Sequence, residues 1–422
     1  MRMHPKISDI YYGWYIVAAL AITETVSFGI LYYAFTVFIT PMQADMGWTL
    51  AQITGAFSLA LLVSGVITLP VGSWLDERGA RGMMTLASVG ATALLIAWAF
   101  VDSLWLFYVI WVGLGVTMAM LFYDPAFVVV ANWFVKYRSR ALAIVTLMAG
   151  FASTIFLPLT DYLVIQFGWR NAVLILAGVQ GIITIPLHGF ILRRRPSDLG
   201  LRPDGSESTL TEPVPDSEKE KNDNAGEDHV VRDAIRSPIF IWISIGFGCS
   251  MLASIGLRVH FIPLLIDAGF NSSRAAWLAG IIGIMQVVGR LLFAPIENRL
   301  SSRDTTMLIM VLTTVSFVFL LMSTSETMVW AFVVLFGAAV GASTLARPVI
   351  VSDMYDVKHF GRINSVMAFL LTLVITAAPI GAGILYEWSA SYTPVLWVFL
   401  IFSGLSVIAI AQIPASKQKR TP

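Results

Sequence analysis

Twelve apolar runs of about 20 residues constrain this chain more than anything else, because each can cross a hydrocarbon core of roughly 30 Å as a helix. They lie at approximately 13–40, 50–75, 83–101, 104–131, 141–167 and 170–192, then 239–266, 274–297, 305–323, 328–350, 363–386 and 392–412. Backbone groups cannot stay unpaired in lipid, and runs this long satisfy them as helices rather than barrel strands. The expected fold is an all-α integral membrane protein. Composition agrees: 57% hydrophobic against 13% charged residues, with a mean hydropathy of +0.78, leaves too little polar surface for a water-facing domain. Soluble enzymes, nucleic-acid binders and disordered scaffolds are excluded together. A net charge of +1 gives no long-range field for nucleic acid. Cys249 is alone, and His4, His188, His229, His260 and His359 have no ligand spacing, so no disulfide, metal or cofactor is expected. The first run is too long, and lacks a cleavage pattern, for a removable signal peptide.

Basic residues orient the chain. All of the 27 Lys and Arg except Arg170, Arg274, Arg258, Arg290 and Arg347 fall in cytoplasmic segments if both termini are inside. Between the sixth and seventh runs, Arg193 to Ser237 is rich in Pro, Glu, Asp, Lys and Ser and cannot bury a core, which reads as a mobile cytoplasmic linker. Arg193, Arg194 and Arg195 at its start anchor the sixth helix at the inner surface. The expected organisation is a six-helix bundle over 1–192, the linker over 193–237 and a second six-helix bundle over 238–422. The bundles read as a repeat. Asp76 and Arg81 after the second run match Glu297 and Arg303 after the eighth, and Trp133-Phe134 with Arg140 matches Met354-Tyr355 with Arg362, at offsets of 221 or 222 residues. A single offset across separate loops predicts two pseudo-symmetric halves, the parallel repeat of one transporter architecture.

Here the sequence resembles the major facilitator superfamily over its full length. Gly72-Ser73-Trp74-Leu75-Asp76-Glu77-Arg78-Gly79-Ala80-Arg81 is similar to that superfamily's loop signature between helices two and three. It keeps Gly72, Asp76, Gly79 and Arg81 but has Glu77 and Ala80 where basic residues are usual. The resemblance implies a gating role for Asp76 and Arg81, with the acid meeting a helix N-terminus. Within the superfamily the chain looks most like the monocarboxylate transporter and oxalate–formate antiporter branch. Gly13-Trp14, Trp133-Phe134-Val135-Lys136, Arg140-Ala141-Leu142-Ala143 and Gly289-Arg290 carry that likeness. The branch places its substrate-binding arginine at Arg290. Its first-helix lysine appears here as Tyr33, the acid four before its arginine as Gln286, and the oxalate carrier's second cation has no counterpart in Phe369-Leu370-Leu371-Thr372. The resembled fold works as a single chain, so a monomer in the lipid bilayer is expected.

Charges at bilayer depth cost about 2.5–3.5 kcal/mol each and usually face a cavity or a partner. Glu24, Asp124 and Asp161 lie in the first half, and Arg258, His260, Arg290 and Arg347 in the second. Arg290 falls toward the middle of the eighth helix, where a guanidinium can hold a carboxylate by two parallel hydrogen bonds; the bland reading is a salt bridge or snorkelling. Glu24 sits near the centre of helix one, either as a proton carrier or in a fixed pair with Arg258 or Arg290. His260 and Asp161 are further proton-coupling candidates, His260 because it can titrate near neutral pH. Arg258 and His260 are two apart, so they point about 200° from each other on a helix of 3.6 residues per turn. Asp124-Pro125 and Arg347-Pro348 lie near inner helix ends and read either as a cross-half gate pair or as charges that each reach the headgroup zone. Phe28, Tyr32, Tyr33 and Gln286 are candidates to line the substrate cavity with Arg258 and Arg290.

The expectation is a secondary active transporter, not an enzyme, that moves a small organic monoanion with protons by alternating access. The alternatives are an importer or exporter of a larger neutral or aromatic solute, or an anion exchanger. No G-x-x-x-x-G-K-S/T loop occurs, and no cluster of nucleophile, acid and base suggests catalysis.

Overall fold

The computed structural model describes residues 10–205, 232–297, 299–322, 325–355 and 360–414. Its apolar helices run α1 Tyr12–Met46, α2 Leu50–Arg78, α3 Ala80–Ala99, α4 Leu104–Trp133, α5 138–167 and α6 169–191 in the first half. The second half has α7 Pro238–Asp267, α8 Ser272–Glu297, α9 Ser302–Leu321, α10 Glu326–Met354, α11 Phe360–Ser389 and α12 Tyr392–Ala411. Helices α5 and α6 form one continuous apolar stretch, Arg138–Ile191, broken where Gly168 turns to φ 76°. With that break counted, twelve crossings stand among the described residues, in the spans that hydropathy outlines.

The repeat is visible in backbone geometry. Helices α3 and α9 are displaced by 222 residues at both ends, as are the left-handed residues that turn the chain between crossings. Gly47 (φ 66°) pairs with Gly269 (φ 93°), and Gly168 with Ala390 (φ 50°). Left-handed backbone is open to glycine and strained for a residue with a Cβ. Two of the four positions are thus matched glycines, and one has drifted to alanine.

Helices α1, α4 and α5 depart from simple spans. Between Phe28 and Tyr33, α1 widens into a π-turn, with the Ala34 amide donating to the Gly29 carbonyl at 2.8 Å. Gly29 allows it: a Cβ there would strike the Phe156 ring of α5. Helix α4 breaks at Phe122 (φ −80°, ψ −166°), because Pro125 brings no N–H and its ring excludes the carbonyl one turn earlier. Helix α5 tightens at Gly150–Phe151, where the Phe151 amide bonds Met148 at 3.0 Å.

The start of the expected mobile linker is ordered, and the physical reason lies in Asp204. Its carboxylate accepts three consecutive amides in the α4–α5 loop, from Val135 (2.9 Å), Lys136 (2.7 Å) and Tyr137 (3.2 Å). Tyr11 packs beside it and donates to the Trp133 carbonyl at 3.1 Å; burial first, then the Asp204 charge, pushes its phenol up to about 12. Residues 206–231 of the expected linker lie outside the described residues. Hereafter the membrane side carrying this anchor is called the linker side, and the opposite one the far side.

The halves meet along α2 with α11, α5 with α8, and the far end of α1 with α7. Five hydrogen bonds cross between halves in their far portions. Thr36 Oγ1 donates to Val259 O (2.7 Å), the Ala51 amide to Glu387 (2.7 Å) and the Ile380 amide to Ser58 Oγ (3.1 Å). Thr154 Oγ1 donates to Gly280 O and Ser273 Oγ to Asp161, both at 2.8 Å. Toward the linker side the halves separate around a cavity, and Thr344 is exposed along it.

Candidate functional site

The central cavity holds about 1200 Å³ of empty space including its open mouth. Helices α1, α4, α5, α7, α8 and α10 line it. Phe28, Tyr32 and Tyr33 come from the π-turn of α1, and Tyr123 from just past the α4 break. From the second half come Arg258 with Ser250 and Ser254, then Gln286 and Arg290, then Ser343, Thr344 and Arg347.

Three guanidiniums therefore line one cavity. Among the described residues none of the three has a carboxylate within ion-pair distance; the ion pairs present join Arg170 to Asp45 and Asp102, and Arg274 to Glu326, near the far surface. Arg290 donates from Nη1 to the Thr146 carbonyl of α5 at 2.6 Å, and its buried Nε has no acceptor. Gly150 makes room for it, since a Cβ there would lie 3.3 Å from Nη1. Arg258 donates from Nε to Ser254 O at 3.2 Å and interacts with Tyr32 and Tyr33. Gln286 is buried, and its Nε2 has no acceptor.

Glu24 lies behind this wall, fully buried, and neither carboxyl oxygen has a hydrogen-bond partner among the described residues. The fixed ion pair with Arg258 or Arg290 is absent. Tyr123 interacts with both Glu24 and Arg290, so it links the buried acid to the cavity. Aromatic packing fixes that corner: Phe28 stacks on Phe122 at 3.9 Å and tilts against Tyr123 at 4.8 Å.

Other candidates stand elsewhere. His260 is fully buried on the opposite face of α7 from Arg258, against Pro379 O (2.8 Å) and Tyr392 Oη (3.3 Å). That follows from the two-residue spacing and gives the ring a structural setting between α7, α11 and α12, away from the cavity. Asp161 is equally removed, since it accepts Ser273 across the far-side α5–α8 contact. Arg81 donates to Gly189 O of α6 at 2.8 Å, within its own half, so here it does not bridge the halves. The side chain of Asp76 lies outside the described residues. Asp124 is exposed and Arg347 half-buried; they interact without closing to ion-pair distance.

Tyr123, Ser250, Ser254, Ser343 and Thr344 escape sequence reasoning. Tyr123 had one available signal, its place beside Asp124-Pro125, because a proline break turns out the residues preceding it. The serines and threonine carry none, since hydroxyls in apolar helices ordinarily bond their own backbone. Ser343 and Thr344 do so, to Val340 O and Gly341 O.

Known proteins agree with this architecture. The family model described as Major Facilitator Superfamily matches residues 20–303 and 243–421. Monocarboxylate transporter 12 of Xenopus laevis is 27% identical over 432 residues, covering 96% of this chain and 88% of that protein. The MFS-type transporter YcxA of Bacillus subtilis (strain 168) is 21% identical, over 92% of this chain and 91% of its own. Among solved structures, a bacterial homolog of the human lysosomal transporter Spinster, inward-facing and unoccupied, superposes with a TM-score of 0.71 at 16% identity, covering 96% and 95% of the two chains. The nucleoside transporter NupG gives 0.71 at 13% identity, covering 94% and 98%. These structures share the fold. The chain belongs to the Major Facilitator Superfamily of membrane transporters, with relatives among its monocarboxylate transporters.

Proposed function

We propose that this protein is a secondary active transporter of a small organic monoanion, coupled to protons and working by alternating access. One observation carries the reading: among the described residues, Arg258, Arg290 and Arg347 line a single cavity without an acid in ion-pair range of any of them. Such charges are costly at bilayer depth, and a carboxylate ligand offsets that cost by bidentate pairing in a low dielectric. Arg290 is the principal ligand, with Tyr33, Arg258, Gln286, Tyr32 and Phe28 around it. Glu24 is the proton carrier, because an unpaired carboxylate in its surroundings costs far more than a neutral acid. Tyr123 interacts with both groups and is the route we assign for coupling between Arg290 and Glu24. The names of the monocarboxylate transporter relatives support the substrate class. The linker side is taken as cytoplasmic, in an inner or plasma membrane, since Arg78, Arg81, Arg138, Arg140 and Arg193–Arg195 gather there.

The test is uptake of labelled small carboxylates into proteoliposomes, with and without an inward proton gradient, beside an Arg290→Gln variant that folds normally. Saturable, gradient-driven uptake lost in the variant is expected. No uptake across monocarboxylates, dicarboxylates and aromatic acids by folded protein would sink the reading.

The three unpaired guanidiniums also favour a second reading, anion exchange, because an empty cavity of that charge is costly to reorient. Uptake that requires internal anion and ignores the proton gradient would select it.

A further inference from the structure

Beyond the main cavity lies a second, much tighter pocket with room for about one water-sized group. The two share one wall, made of Tyr32, Tyr33, Arg258 and Gln286. The chamber is on the far side of that wall, beside the Thr36–Val259 hydrogen bond that ties α1 to α7. Its other sides are chiefly apolar, formed by Phe35, Leu157, Phe261 and Ile282, and all four are buried.

Two donors break that apolar lining. Ser153 Oγ is 2% exposed and Gln286 Nε2 belongs to a residue 4% exposed, and neither has a hydrogen-bond partner among the described residues. Native interiors rarely leave buried polar atoms unmatched, and two facing one chamber ask for a missing partner. Gly283 of α8 makes room for the serine hydroxyl, since a Cβ at that position would strike Ser153 Oγ. Arg258 stands at the same wall with no carboxylate in ion-pair range among the described residues. A guanidinium, an amide N–H and a hydroxyl from α7, α8 and α5 thus line one pocket. A carboxylate supplies acceptors for all three at once.

Depth separates Arg258 from Arg290, with Gln286 one turn beyond Arg290 on α8. At 1.5 Å per residue, Arg258 is about 30 Å along α7 from its linker-side end, whereas Arg290 is about 10 Å along α8. We propose that Arg258, Gln286 and Ser153 form a second anion station, which takes the substrate's carboxylate from Arg290 at the point where the route is closed. The inference rests on the reading that the cavity carries a carboxylate. It adds that Ser153, on the first half, is a ligand and that the anion bridges the two halves there.

The test uses anionic and cationic thiol reagents, so it does not depend on knowing the substrate. In a Cys249→Ser background, Ser153→Cys and, separately, Gln286→Cys are treated in proteoliposomes with sulfonatoethyl and aminoethyl methanethiosulfonate. Rates are normalised to the neutral methyl reagent. The anionic reagent should modify both cysteines at least tenfold faster than the cationic one. Arg258→Gln should abolish that preference, and Arg290→Gln should leave it. Equal rates for the two reagents, a preference that follows Arg290 instead, or no reaction even with the neutral reagent would each overturn the station. A failed uptake panel with the thiol preference intact would instead count against the monocarboxylate reading alone.

Discussion

Asp124 of α4 and Arg347 of α10 stand within one residue of matching places in the two halves, 223 residues apart, each followed by a proline and opposite in charge; Arg347 lines the linker-side opening and Asp124 is exposed. They interact across that opening without closing to ion-pair distance. In alternating access the linker side must shut when the far side opens, and these charges are placed to meet at that stage. Asp124→Asn or Arg347→Gln should slow transport about tenfold. Exchanging the charges, Asp124→Arg with Arg347→Asp, should restore most of the loss, with a coupling of about 1–3 kcal/mol. Initial uptake rates of the four proteins check it. A swap no better than the single changes would rule out a direct pair.

Glu24 offers a cleaner separation of binding from coupling. Its carboxyl has no hydrogen-bond partner, so Glu24→Gln removes a titrating group without orphaning a neighbour. Exchange of labelled for unlabelled anion should persist within a few-fold, while accumulation against a gradient is lost. Paired counterflow and gradient-driven uptake measurements decide it. Intact accumulation in Glu24→Gln would move the proton to another group.

Much of this arrangement was legible in the sequence, for a physical reason. Hydrophobic length sets the crossings, and a charge in an apolar helix must find a cavity or a partner, so Arg258, Arg290 and Arg347 announce themselves. What the residues face is another matter. The π-turn that brings Phe28, Tyr32 and Tyr33 to one wall depends on Gly29 meeting Phe156, a contact between helices far apart in sequence. His260 and Asp161 look as functional as Arg258 in the string of letters, and only packing separates them. Asp204 anchors a segment whose composition signals disorder, because three amides of a distant loop converge on its carboxylate.

Ala390 carries the strain that its partner Gly168 avoids. Both turn the chain between the last two crossings of a half, at φ 50° and φ 76°. Ala390→Gly should stabilise the protein by about 0.5–1 kcal/mol, the relief of a left-handed Cβ less the added freedom of the unfolded chain. Gly168→Ala should cost about 1 kcal/mol, and no atom within 4 Å would meet the new Cβ, so the cost is conformational. Apparent melting temperatures in detergent should rise for the first and fall for the second. Shifts of the same sign would separate the two positions.

The far-side closure uses one device twice. Asp161 on α5 accepts Ser273 in the first turn of α8, and Glu387 on α11 accepts the Ala51 amide in the first turn of α2. Helices α5 and α11 correspond under the repeat, as do α2 and α8, so each half sends an acid to a helix start of the other. A carboxylate there gains both a charge-assisted hydrogen bond and the favourable end of the helix dipole. Neutral amides keep the shape and lose the charge. Asp161→Asn and Glu387→Gln should each destabilise far-side closure by about 1 kcal/mol, roughly a fivefold shift toward the far-side-open state. Because the two contacts lie on separate interfaces, their effects should add. Distances between spin labels on the far-side loops 100–103 and 268–271 read the populations directly. Unchanged distributions in the double variant would mean that Thr36, Ser58, Thr154 and the apolar packing around them hold the far side shut without the acids.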